Sequence, residues 1–128
     1  MDKTEITNLI EAQRTFFATG STLNADYRIA ALRKLKNCIK AHEQDIMNAL
    51  RTDLGKGPQE SYMCETGLTL SEISYMLSHT RRFMREKTVA TPLAQFASRS
   101  YVKPSPYGTV LIMSPWNCLL YTSPSPRD

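Results

Sequence analysis

The sequence predicts an α/β fold, on three observations. Helical periodicity runs over residues 1–87; after Pro92 the character changes, and Ser98-Arg99-Ser100-Tyr101-Val102-Lys103 reads as alternating; and Thr109-Val110-Leu111-Ile112-Met113 is a continuous β-branched, apolar run. Such a run reads as a strand buried on both faces, with neighbours at both edges and layers above and below, the setting of a parallel sheet. At 128 residues, 41% apolar and 22% charged, the chain has the size and composition of a globular domain, unlike a disordered segment or a coiled-coil rod.

Three helices are expected before the strands. Over residues 4–18, Ile6, Leu9, Ile10, Ala12, Phe16 and Phe17 recur at spacings of three and four, and Gly20 stops the pattern. Asn24 is a suitable cap for the second helix, and Asp26 falls in its first turn, where the helix dipole favours negative charge. Residues 28–51 then carry the strongest periodicity of the chain, with Leu32, Leu35, Ile39, Ile46 and Leu50 as one stripe. Arg33, Lys34, Lys36, Lys40, Glu43 and Gln44 fill the opposite face. Gly55-Lys56-Gly57 ends that helix, and Pro58 suits the start of a third. Leu68, Ile73, Met76, Leu77, Phe83 and Met84 keep the helical period to about residue 87. The alternation of residues 98–104 predicts a half-buried strand, Pro104 to Gly108 a turn, and residues 109–114 the first buried strand of the sheet.

Several function classes are disfavoured by composition. Sixteen Lys and Arg against twelve Asp and Glu leave +4, a mild excess spread along the chain that predicts no nucleic-acid partner. Cys38, Cys64 and Cys118 are odd in number and widely spaced, fitting neither a disulfide scaffold nor a paired redox motif, so a reducing cytoplasmic setting is expected. The first residues contain no 7–15-residue apolar core of a secretory signal. Residues 104–126 are uncharged, yet prolines at 104, 106, 115, 124 and 126 argue against a membrane segment.

Isolated candidates have ordinary readings. His42 and His79 have no partners at ligand spacing, and no metal site is expected. Cys38 and Cys64, within helices, read as small buried hydrophobes. Arg81-Arg82-x-x-Arg85 reads as a solvated helix end that complements the dipole. Gly55-Lys56-Gly57 lacks the earlier Gly and the Ser or Thr of a phosphate-binding loop.

The informative string is Pro106-Tyr107-Gly108-Thr109-Val110-Leu111-Ile112-Met113-Ser114-Pro115-Trp116-Asn117. A strand ending in Ser-Pro-Trp-Asn places its exit loop at the carboxyl edge of a sheet, where open α/β folds bind ligands. The string resembles the aldehyde dehydrogenase superfamily, in which a P-x-G turn, an apolar first strand and a P-W-N tripeptide occur in this order. Tyr62-Met63-Cys64-Glu65 and Glu72-Ile73-Ser74-Tyr75-Met76 add a likeness to its class 3, fatty-aldehyde-type branch, and the resemblance covers residues 1–117. It implies the amino-terminal part of an NAD(P)-binding domain, with three helices, a strand, a turn and a strand that leads into an incomplete Rossmann-like parallel sheet. It further implies that Met113, Ser114, Pro115 and Trp116 line the nicotinamide cofactor, NAD or NADP. Asn117, by the same resemblance, is the catalytic residue that offers its side-chain amide to the oxyanion formed when a cysteine thiolate attacks an aldehyde. The parent protein is then expected to oxidise small-molecule aldehydes to carboxylic acids through a thiohemiacetal and a thioester, and to be a homodimer.

After Asn117 the family pattern breaks. The family continues with an aromatic residue and Pro, and later supplies a general-base Glu and a nucleophilic Cys; here Cys118-Leu119-Leu120-Tyr121-Thr122-Ser123-Pro124-Ser125-Pro126-Arg127-Asp128 follows. Those eleven residues resemble a translated sequencing-library adapter, so residues 118–128 are expected to be a non-native tail. Without the Cys and the Glu, the chain itself is expected to be inactive. Two alternatives remain open on the sequence: an acylating or reductive member of the superfamily, and a short non-enzymatic helical interaction module.

Overall fold

The structure is a computed structural model that describes residues 2–113. Helix α1 (Lys3–Ala18) starts where Asp2 and Glu5 satisfy open amides of the first turn reciprocally. The Asp2 carboxylate accepts from the Thr4 N–H, and Glu5 Oε2 accepts from the Asp2 N–H at 2.8 Å. Gly20 closes the helix in the left-handed region at φ 74°. A 3-10 turn (Ser21–Leu23) leads to Asn24, whose Oδ1 accepts from the Asp26 N–H at 2.7 Å, and α2 (Ala25–Ala41) follows.

The single helix expected over residues 28–51 is two. His42 leaves the helical region at φ −107° and ψ 18°, and α3 (Glu43–Leu54) restarts beyond it. Leu32, Ile39 and Ile46 pass through this break at intervals of seven and pack in one core, so the apolar period carries no trace of it. Neither Gly nor Pro marks the place. Leu35, expected in the buried stripe, is exposed, while Leu50 is buried. Gly55, at φ 68°, ends α3 with its N–H on the Arg51 carbonyl at 3.0 Å.

The third expected helix is built in pieces: α4 (Pro58–Ser61), a π turn (Tyr62–Thr66) and α5 (Gly67–Phe83). A Cβ on Gly67 would lie 2.8 Å from the Tyr62 carbonyl oxygen, so the wide turn depends on glycine there. α5 stops four residues short of the expected end. Lys87–Val89 forms strand β1 instead, paired antiparallel with β2 (Ser100–Val102), with Lys87 opposite Val102 and Val89 opposite Ser100. β2 lies within the strand expected over residues 98–104; its partner is too short to show a period.

The buried strand expected over residues 109–114 is the main difference. Residues 109–113 join no ladder, and Leu111 is 82% exposed. The sheet among the described residues is the two-stranded antiparallel one, not a parallel sheet. A strand buried on both faces needs neighbours to take its N–H and C=O groups, and nothing among the described residues supplies them. Position 114 lies outside the described residues.

The chain divides into two units. In the unit of residues 29–78 and 110–113, Ile39, Leu70 and Ile73 form the core, with Leu32, Ile46 and Leu77 packed against it. Lys36 Nζ donates to Ser74 Oγ at 2.7 Å, and that hydroxyl donates to the Leu70 carbonyl. In the unit of residues 2–28 and 79–109, Arg81 pairs with Asp26, the Phe16 and Tyr27 rings lie 6.1 Å apart, and Arg28 Nε donates to the Thr22 carbonyl at 2.6 Å. No helix among the described residues is long and apolar enough to cross a membrane.

Candidate functional site

The approach to the Ser-Pro-Trp-Asn segment is Pro106-Tyr107-Gly108, where the expected turn is irregular backbone and the bend falls at Thr109. Gly108 has φ 97°, a conformation that side chains rarely adopt, and the position of its missing Cβ lies 3.5 Å from the Phe17 ring. The last turn of α1 thus supports the bend that sends the chain into Thr109. Of the residues expected to line a cofactor, Met113 is described and is 81% exposed in irregular backbone. Ser114, Pro115, Trp116 and Asn117 lie outside the described residues, as does Cys118.

A dinucleotide site in an open α/β fold is made at the carboxyl ends of parallel strands, with a glycine-rich turn and a helix N-terminus beneath the phosphates. The described residues form no parallel strand pair, and by themselves they do not make such a cradle. Among them no group of three or more His, Cys, Asp or Glu is placed to hold a metal ion.

The isolated candidates are dispersed. His42 sits at the break between α2 and α3, exposed, with Nδ1 3.1 Å from Asp45 Oδ2. His79 stacks on Phe83 with ring centroids 5.8 Å apart. Cys38 and Cys64 are exposed free thiols, contrary to the buried placement expected of them: the core is filled by Ile39, Leu70 and Ile73, and the π turn carries Cys64 outward. At the end of α5, Arg81 reaches Asp26 and the Arg82 guanidinium lies 5.7 Å from the centroid of the Phe83 ring.

Sequence reasoning missed the buried polar cluster at the π turn. Glu65 is completely buried, and Lys56 Nζ, on a side chain 14% exposed, donates to its Oε1 at 2.7 Å. Ser61 and Thr66 are buried beside it in sequence, and their hydroxyls have no hydrogen-bond partner among the described residues. Tyr62, Met63 and Cys64 are exposed. The turn is inverted in polarity, with polar groups inward and apolar ones outward. The available signal was the i, i+4 spacing of Ser61 and Glu65 on a helix that continues into an apolar stripe. A buried carboxylate with its cation is costly to desolvate and strongly geometry-dependent, which suits a residue that fixes the turn.

Comparison with known proteins supplies the rest. Residues 1–123 match the pattern of the aldehyde dehydrogenase family. The chain is 42% identical over 114 residues to the 4,4'-diaponeurosporen-aldehyde dehydrogenase of Staphylococcus aureus, covering 86% of this chain and 25% of that protein. It is 33% identical over 114 residues to the dimeric NADP-preferring aldehyde dehydrogenase of Canis lupus familiaris, covering 88% of this chain and 25% of the relative. A solved structure, the substrate-bound state of Staphylococcus aureus AldH, superposes with a TM-score of 0.88 at 38% identity, over 95% of this chain and 26% of that one. The chain therefore spans about a quarter of the length of the relatives it matches.

Proposed function

Because the chain belongs to the aldehyde dehydrogenase family, we propose that it is the amino-terminal portion of an enzyme that oxidises aldehydes to carboxylic acids with NAD or NADP. The observation that carries this reading is the order of parts. Helices that superpose on an aldehyde dehydrogenase lead through the Gly108 bend into an apolar run and Pro115-Trp116-Asn117. In the parent enzyme, strands supplied by the remaining three quarters of the protein flank residues 109–113 and bury them. Asn117 at the strand exit then donates its amide N–H to the carbonyl oxygen as negative charge develops on it. A fixed donor of this kind lowers the barrier because it needs no reorganisation when the charge appears, and its loss costs about 2.7–4 kcal/mol in comparable enzymes. Met113, Ser114, Pro115 and Trp116 line the nicotinamide side of the same loop.

The nucleophilic Cys and the general-base Glu belong to the part of the parent not present in these 128 residues, so the chain alone does not turn over aldehyde. Residues 118–128 are a non-native tail in this reading; the part of them within the family match, up to residue 123, does not restore the aromatic-proline pair. The parent is a cytoplasmic homodimer that acts on a small-molecule aldehyde, a reading supported by the dimeric, NADP-preferring relative and by the absence of a cysteine pairing pattern in the sequence.

The test is to express the complete reading frame and follow aldehyde-dependent formation of NAD(P)H. Asn117→Ala is expected to lower kcat about 10²–10³-fold with a smaller change in KM, and the 128-residue chain is expected to show no turnover. Absence of aldehyde-dependent cofactor reduction in the complete protein, or an Asn117→Ala variant with unchanged kcat, would count against the reading.

A further inference from the structure

The end of α1 is a fixed mount. Thr19 N–H donates to the Phe16 carbonyl at 3.2 Å, and the Thr19 hydroxyl donates to the same oxygen at 2.7 Å. Gly20 N–H donates to the Phe17 carbonyl at 3.0 Å, and Ser21 N–H to Thr19 Oγ1 at 3.3 Å. Carbonyls that a last helical turn leaves open are thus taken up locally. Helical backbone also restricts the first torsion of a side chain, so fixing the backbone at Phe17 goes far towards fixing its ring.

That ring lies against Gly108. The position of the missing Gly108 Cβ is 3.5 Å from Phe17 Cε1, 3.6 Å from Cδ1 and 3.8 Å from Cζ. A methyl group there would meet the ring at ordinary contact distance, so what opposes a side chain at 108 is the backbone, at φ 97°. Both residues belong to the unit of residues 2–28 and 79–109. The contact therefore joins the first helix to the segment that enters the apolar run, across most of the chain.

Gly108 stands five residues before Met113 and nine before Asn117. A β-strand is regular, with side chains alternating between its faces, so the position and direction at which it starts carry through to its exit. At a reacting centre, a displacement of about 1 Å can cost about 10²-fold in rate. We propose that Phe17 is a positioning residue: its ring, seated on Gly108, sets the entry of the strand of residues 109–114 in the parent enzyme, and through that strand the placement of the Asn117 amide. Phe17 itself touches neither aldehyde nor cofactor in this arrangement. The inference rests on the aldehyde dehydrogenase reading above and adds to it a residue of the first helix.

The test is a double-mutant cycle in the complete protein, read as kcat/KM for aldehyde on natively folded material isolated by gel filtration and checked by circular dichroism. Phe17→Ala is expected to lower kcat/KM about ten-fold in the otherwise unsubstituted enzyme. On top of Asn117→Ala the same change is expected to cost less than about two-fold, because an amide that is gone cannot be misplaced. Gly108→Ala is expected to follow the same pattern. Phe17→Leu, which keeps most of the apolar bulk, is expected to stay within about two-fold of the unsubstituted enzyme. Phe16→Ala removes a ring from the same turn, one whose centroid lies 6.1 Å from that of Tyr27, and is expected to leave kcat/KM unchanged. Where Phe17→Ala does not fold, the cycle is read with Gly108→Ala. A loss that persists in full on top of Asn117→Ala, an equal loss in Phe16→Ala, or an unchanged kcat/KM in Gly108→Ala would overturn the proposal, while an active unsubstituted enzyme leaves the aldehyde dehydrogenase reading standing. No aldehyde-dependent NAD(P)H formation by the unsubstituted complete protein would defeat that reading itself, and the proposal with it.

Discussion

Glu65 and Lys56 fix the π turn through a 2.7 Å ion pair in which the carboxylate is wholly removed from water. Replacing both partners with apolar groups can be nearly neutral in such sites, but removing one leaves the other charge buried. Lys56→Met is therefore expected to lower stability by about 3 kcal/mol, read as a shift of the urea midpoint followed by helical circular dichroism. Lys56→Arg, which keeps the charge, should lose less. Gly67 belongs to the same turn. Its Cβ position meets the Tyr62 carbonyl at 2.8 Å, whereas nothing lies within 4 Å of the corresponding position at Gly57. Gly67→Ala is expected to cost about 1–3 kcal/mol through overpacking, and Gly57→Ala less, in the same denaturation experiment. Equal costs at the two glycines would contradict the contact. Little of this was legible from the sequence: a Glu beside Cys and Thr reads as solvated until the widened turn rotates it inward.

Elements with local signals were legible, and those that depend on distant partners were not. Gly20, Asn24, Gly55 and Pro58 bound helices because each supplies a cap, a left-handed residue or a fixed φ within its own neighbourhood. The Asp2 capping box predicts that Asp2→Ala costs about 1 kcal/mol, measurable as fraying of α1 by amide exchange. The break at His42 left no sign because Ile39 and Ile46 stay in phase across it, and β1 left none because three residues show no period. Residues 109–113 are the reverse case. Their β-branched, apolar pattern is clear, yet they form no ladder, because a strand buried on both faces takes its partners from elsewhere in the protein. Their exposure is an aggregation hazard. Leu111→Lys is expected to raise the soluble fraction of the 128-residue chain without changing its helical circular dichroism; an unchanged soluble fraction would show that this run does not drive association.

At the scale of the whole molecule, the family was legible as a resemblance carried by about a dozen residues in order, Pro106 to Asn117, with the helical lead-in before them. The candidate site was legible only as a resemblance. Met113 is the one expected cofactor-lining residue among those described, and a strand exit becomes a binding site only when parallel neighbours stand beside it. The unpaired apolar run of residues 109–113 and the incomplete site both follow if the chain is one quarter of an aldehyde dehydrogenase. The most direct measurement is to amplify the source locus from native DNA and read several hundred bases past codon 117. The prediction is an aromatic-proline pair directly after Asn117, followed by downstream codons for a general-base Glu and a nucleophilic Cys. Native DNA that instead encodes Cys118 to Asp128 and then a stop would contradict it.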